Sequence, residues 1–274
     1  MHGRFILTAA KPFLMRQAIR QRSLIWQFVK RDVQSRYRGS WLGLGWSFLT
    51  PLLMLAVYTF VFREVFQSRW GQGNGGGVDF ALRMYAGLVV FNFFAECVAR
   101  APRLIVDQPN LVKKVVFPLE LLAWVSTFSG LFHLAVNAFV LLLAALVAGY
   151  GQPTMLLLPL VWLPLLPLVL GCSWFLASLG VYIRDIGQVI GLAISLLMFM
   201  SPIFYPVSAM PERWRFWLHL NPLTLIIENT RLVLLDGGVP NMLLLSTYFL
   251  VALLIAVLGG WWFQATRKGF ADVL

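Results

Sequence analysis

LLAWVSTFSGLFHLAVNAFVLLLAALVAGYGQPTMLLLPLVWLPLLPLVLGCSWFLASLGVYI, residues 121–183, is a run of 63 positions without an Asp, Glu, Lys or Arg. A helix crosses the hydrocarbon core of a bilayer with about 20 apolar residues. The run is therefore too long for one crossing and suits two. Gly149-Tyr-Gly-Gln-Pro153 supplies the break, since Gly and Pro punctuate helices. The whole chain has the same character: 274 residues, 59% hydrophobic and only 12% charged, where a soluble domain is about a quarter charged. The 15% aromatic content excludes disorder. The fold class is all-α integral membrane.

Gly39 to Phe62 lacks formal charge and gives a first span. Phe80 to Ala99 gives a second, carrying Arg83 and Glu96; Ile186 to Pro211 gives a fifth and Gly237 to Thr266 a sixth. An even number of spans places both termini on one side. Of 22 Lys and Arg residues, 16 fall in residues 1–40, the 100–118 segment, Arg184 and the tail. By the positive-inside rule these are cytoplasmic. Before the first span, Ile25/Trp26, Val29 and Val33 recur at helical spacing, with Arg22, Lys30, Arg31 and Arg36 on other faces. This predicts an amphipathic helix lying in the inner interface. The expected organisation is an arm at 1–40, a six-span domain at 41–266 and a tail at 267–274. The apolar stretch Phe5–Ala10 is too short for a cleavable signal, so the basic arm is expected to stay in the mature protein.

A formal charge of +11 would point to nucleic acid in a soluble protein, but here it is the surplus expected beside anionic lipid. Cys97 and Cys172 lie in apolar runs without metal-ligand or disulfide spacing, so no metal site is expected. No Gly-Lys pair occurs, so the chain lacks the phosphate-holding loop of an ATPase. The acids are scattered singly, with Asp185 beside Arg184 as its neutralising neighbour. That pattern argues against a membrane-embedded lipid-modifying transferase, which needs clustered Asp, Glu or His. His133 and Asn137, one turn apart, fit an interhelical hydrogen bond better than a proton relay. Glu96 has Arg100 four residues on as a candidate partner.

Five local patterns remain. RYRGSWLGLGWSFLTP (36–51) leads into the first span, and QPNLVKKVVFPLE (108–120) fills the second cytoplasmic segment. YIRDI (182–186) forms the next inner turn, SPIFYP (201–206) ends the fifth span, and Asn221-Pro222 follows. In this order and at these depths they resemble the permease subunits of ABC-2-type polysaccharide exporters, the O-antigen, capsule and teichoic-acid family. The resemblance runs from about residue 25 to the C-terminus. The tip at 71–77 is unusually glycine-rich and departs from the pattern.

The resemblance implies a homodimer exporting a polyprenyl-diphosphate-linked glycan, O-antigen first, across a bacterial inner membrane. Two separate ATPase subunits would carry the ATP and Mg, with no cofactor in this chain. Teichoic acid, capsule or a drug are the alternative cargoes. The coupling segment, about 101–118, is expected to dock on the ATPase through Asp107, Gln108, Pro109, Asn110, Leu111, Lys113 and Lys114, joined by Arg184 and Asp185. Asp, Asn and Pro are also helix-starting types. The outer gate, about 201–222, is expected to use Pro202, Ile203, Phe204, Tyr205, Pro206 and Trp214, because two prolines make the fifth span hard to continue. Arg36 and Arg38, where the arm meets the first span, are expected to hold the lipid diphosphate, since guanidinium forks suit bidentate phosphate contacts.

Overall fold

The computed structural model describes residues 18–65, 76–113 and 117–274. The arm before Ala18, most of the glycine-rich tip and Lys114 lie outside the described residues. Nine helices of nine or more residues occur among those described: α1 (Arg22–Tyr37), α2 (Trp46–Phe60), α3 (Gly77–Arg100), α4 (Leu121–Val147), α5 (Leu165–Tyr182), α6 (Ile186–Met200), α7 (Glu212–Leu220), α8 (Thr224–Leu234) and α9 (Met242–Thr266).

Among the described residues five segments are long and apolar enough to cross a membrane: Gly43–Glu64, Gly77–Arg103, Leu121–Val147, Pro153–Tyr182 and Met242–Val273. The long uncharged run does divide in two. Helix α4 ends at Val147, Gly149 takes φ +90° in the turn, and helical backbone resumes at Pro153. The expected fifth span is shorter than its apolar run. Helix α6 has 15 residues, about 22 Å at 1.5 Å per residue, against a hydrocarbon core of about 30 Å. It stops at Met200 because Ser201, preceding Pro202, is driven out of the helical region to ψ 145°.

Helix α3 is the hub. It packs against α2, α4, α5, α6 and α8, and is buried along most of its length. Helix α1 buries Ile25, Val29 and Val33 against α4, an i, i+4, i+8 stripe. Trp26, equally placed by spacing, is instead 69% exposed. Gly39 and Gly43, with φ of +80° and +52°, turn the chain from α1 into α2; L side chains resist that region.

The most extensive helix pair is α5 with α9. A Cβ on Gly171 would sit 2.6 Å from the Ile255 carbonyl, and one on Gly259 would overlap the carbonyl of Gly171. The two backbones thus touch, the usual route to close packing in lipid, where helices gain little from apolar burial. At the end of the bundle that holds α1, Gly180 meets the Pro102 carbonyl in the same way. There Arg267 also donates to the buried Glu120 carboxylate at 3.0 Å, tying the end of α9 to the start of α4.

Replacing Gly259 with Leu is expected to force α5 and α9 apart and lower stability by about 1–3 kcal/mol, the usual cost of overpacking. Gly151→Ala, where an added Cβ meets only Leu146 at 3.8 Å, should unfold like the parent. Thermal unfolding in detergent compares the two.

Candidate functional sites at the two ends of the bundle

At the α1 end, ionic side chains from α1, α3 and α4 converge. Arg36 donates to the Glu96 carboxylate and, at 3.3 Å, to Asp32 one turn back. Arg100 turns to Asp32, with hydrogen bonds of 2.7 and 3.1 Å, and stays 4.0 Å from Glu96. The i, i+4 pairing expected for Glu96 is therefore the weaker contact, because α1 brings a second carboxylate nearer to Arg100. His133 Nδ1 lies 2.9 Å from Glu96 and its Nε2 lies 3.1 Å from the Tyr37 hydroxyl. Burial, opposed by Arg36 and reinforced by Glu96, pushes the Tyr37 phenol above its ordinary pKa. Asn137 accepts from Tyr85 of α3 at 2.9 Å, an interhelical bond of the kind its spacing implied.

Beside this network opens a groove of about 660 Å³, lined in part by Arg31, Arg38, Arg103, Asp107, Gln108 and Gln188. Five elements meet there: α1, the end of α3, the segment after it, the first turns of α4 and the first turn of α6. The sequence-predicted residues divide around it. Arg38, Asp107 and Gln108 line the groove together, whereas Arg36 is engaged by Asp32 and Glu96. A single helical turn, Pro109–Lys113, starts at the predicted proline, exposing Pro109 and Asn110 and half-burying Leu111. Lys113 ends that turn, and Lys114 lies outside the described residues. Arg184 and Asp185 are exposed on the turn into α6; among the described residues they form no ion pair with each other.

The opposite end is organised by two arginines that the sequence reading left without a role. Arg83 of α3 bonds both carboxylate oxygens of Asp79 at 3.0 Å and reaches Asp236, beyond α8, at 2.7 Å. The Tyr150 hydroxyl donates to Asp79 at 2.7 Å, and burial together with that bond pushes its pKa up to about 12. Arg231 of α8 is 2% exposed. It donates to Glu228 at 2.8 Å, to the Arg83 carbonyl at 2.9 Å and to the Ile203 carbonyl at 2.8 Å. The last contact satisfies an acceptor released where α6 breaks. An arginine inside a strongly apolar chain was the available signal; Asp79 and Glu228 stand one turn from Arg83 and Arg231, whereas Asp236 and the Arg83 and Ile203 carbonyls are distant in sequence and gave none.

The predicted gate residues sit at this break. Pro202 and Ile203 are buried, Phe204 packs on Phe199 at 6.1 Å between centroids, and Tyr205 donates to the Phe199 carbonyl at 3.0 Å. Pro206 is half-buried just before the Val207–Ala209 turn, and Trp214 of α7 is 50% exposed. Asn221 donates to the Ser201 hydroxyl at 2.8 Å, closing the loop that contains α7. Helix α7 buries only Leu218. Helix α8 is the reverse: it is buried on α3 and on residues 158–162, so the chain returns into the bundle before α9. Among the described residues no group of three or more His, Cys, Asp or Glu could hold a metal ion.

The chain has relatives over nearly all of its length. It is 27% identical over 264 residues to the O-antigen export system permease protein RfbA of Myxococcus xanthus, covering 94% of this chain and 98% of the relative. A protein of the same name from Klebsiella pneumoniae is 24% identical, covering 89% and 92%. The polysialic acid transport protein KpsM of Escherichia coli is 22% identical, covering 83% and 88%. Residues 23–235, from helix α1 through helix α8, match the family described as ABC-2 type transporter, and the chain belongs to that family.

Proposed function

We propose that this chain is the permease of an exporter that moves a polyprenyl-diphosphate-linked polysaccharide, with O-antigen as its cargo. Two copies form the path and two separate ATPase chains drive it. Both termini are cytoplasmic in a bacterial inner membrane, the side assigned by the positive-inside rule. The observation that carries the reading is the groove at the α1 end, where Arg38, Asp107, Gln108 and Gln188 converge from elements far apart in sequence. An ATPase element seated there touches the segment after α3 and the start of α6 together. Its movement is then passed to the central helix and to the broken one. Relatives named for O-antigen export, aligned over about nine-tenths of the chain, support the cargo.

On the α1 wall of the groove, Arg31 and Arg38 supply the guanidinium groups that would bind the lipid diphosphate. Arg36 serves this wall indirectly, by fixing α1 to α3 and α4. Capsular polysaccharide is the second reading, favoured by the KpsM relatives. The break at Pro202 to Pro206, held by Arg231, is the outer gate of this scheme.

The cargo is tested by expressing the chain with its ATPase in a host deleted for its O-antigen permease. Surface O-antigen should return, and continued intracellular accumulation would refute the assignment. Lys113→Glu combined with Asp107→Lys should leave membrane insertion intact and weaken ATPase pull-down by about tenfold, roughly 1.4 kcal/mol. Unchanged pull-down and stimulated hydrolysis would move docking elsewhere. Arg38→Lys keeps charge but loses the fork, so binding of the diphosphate lipid in nanodiscs should fall about tenfold, the scale of a charge-assisted hydrogen bond. Equal binding would make Arg38 a general lipid anchor.

A further inference from the structure

Between α2, α3 and α4 runs a cleft of about 390 Å³, within the size range of small-ligand sites. Its rear wall is polar and already satisfied. Tyr85 donates to the Asn137 side chain at 2.9 Å, Asn137 donates to the His133 carbonyl at 2.8 Å, and His133 meets Glu96 at 2.9 Å. Arg36 neutralises the Glu96 carboxylate at the α1 end. The wall is thus rigid and offers no unbalanced charge.

The front of the cleft differs. Asn92 is exposed on α3, a helix otherwise almost wholly buried. Its amide forms no hydrogen bond among the described residues, and the same holds for the side chains of Trp46, Thr50 and Tyr58, which line the cleft from α2. Asn92 lies eight residues inside the end of α3, about 12 Å of helix, well within hydrocarbon depth. A bare amide facing lipid there would cost several kcal/mol. The surfaces that do suit lipid look unlike it: α4 exposes Phe139, Leu143 and Leu146, and α9 exposes Leu250, Leu254 and Leu258. The cleft therefore faces a wet path.

The exposed Trp46 ring and the half-buried Tyr58 ring, beside unengaged amide and hydroxyl groups, are the chemistry that recognises sugars. Flat rings cover the apolar faces of pyranoses, and the polar groups exchange hydrogen bonds with ring hydroxyls. Trp46 and Tyr58 are twelve residues apart on one helical segment, about 18 Å, so the cleft suits successive units of a chain rather than one sugar. We propose that this cleft, through Trp46, Thr50, Tyr58 and Asn92, is a contact surface for an uncharged, hydroxyl-rich stretch of the moving glycan. The proposal rests on the polysaccharide reading above.

The test uses the full permease–ATPase complex in a host that makes the polysaccharide. Single cysteines at Asn92 and Thr50 are probed with a charged methanethiosulfonate reagent, with Phe139→Cys as the lipid-face control and the parent, bearing Cys97 and Cys172, as background. The cleft positions should react, and should be protected when a hydrolysis-deficient ATPase holds glycan in the complex. Protection should vanish in a host unable to begin glycan synthesis. Asn92→Leu should cut export about fivefold, the loss of one hydrogen bond, with Asn92→Gln restoring most of it. Cleft cysteines as inert as the Phe139 control would overturn the proposal, as would disulfide-linked dimers through Asn92→Cys, which make the position a contact between copies. Reactivity without glycan-dependent protection overturns the sugar contact while leaving the exporter reading in place. A parent complex that exports no glycan, with the cleft still reactive, removes both readings.

Discussion

An arginine inside a membrane bundle has to be surrounded by acceptors, and Arg83 and Arg231 set much of this architecture for that reason. Arg83 needs Asp79 from its own helix and Asp236 from the far side of α8. Arg231 needs Glu228, the Arg83 carbonyl and the Ile203 carbonyl. Together they oblige α8 to return into the bundle against α3. They also oblige α6 to end within reach of the Arg231 guanidinium. Of these pairs Arg83–Asp79 has both partners largely buried, and removing one partner of a buried pair typically costs about 3–5 kcal/mol.

The two ends of α3 are treated differently. At the Asp79 end, the carboxylates and carbonyls enclose the arginines, and the Tyr150 phenol adds a further donor. At the Arg100 end, the network of Arg36, Asp32, Glu96 and His133 is closed on one side, while Arg31, Arg38 and Arg103 line an open groove. One end is a fastening, the other a fastening beside an open groove. Helix α3 joins them, so a displacement at the groove has a direct route to the broken end of α6. The close α5–α9 pair, set by Gly171 and Gly259, provides a stiff surface beside that route.

Much of this was legible in the residues. The 63-residue uncharged run, broken by Gly149 to Pro153, announced two spans, and the spacing of Ile25, Val29 and Val33 announced helix α1 and its buried stripe. Pro202 and Pro206 marked the place where α6 could not continue. Periodicity and breaker residues are local properties, and a short window reports them. Spacing alone did not choose between Ile25 and Trp26, because both lie on the permitted arc; contact with α4 buried the first and left the second exposed.

The sequence by itself determined the fold class, the division of the long uncharged run into two helices, the break after α6 and the absence of a phosphate-binding Gly-Lys pair. It also placed Asp107, Gln108 and Arg38 among the residues worth attention. Only the tertiary structure decided that these three share one groove, that Arg36 is consumed by Asp32 and Glu96, and that Arg83 and Arg231 organise the opposite end. The physical reason is range. Hydrophobic runs and helix breakers act over a few residues, whereas pairing a charge in a low-dielectric interior recruits the nearest acceptor in space. That acceptor can stand 60 positions away, as Glu96 does from Arg36, or 153, as Asp236 does from Arg83.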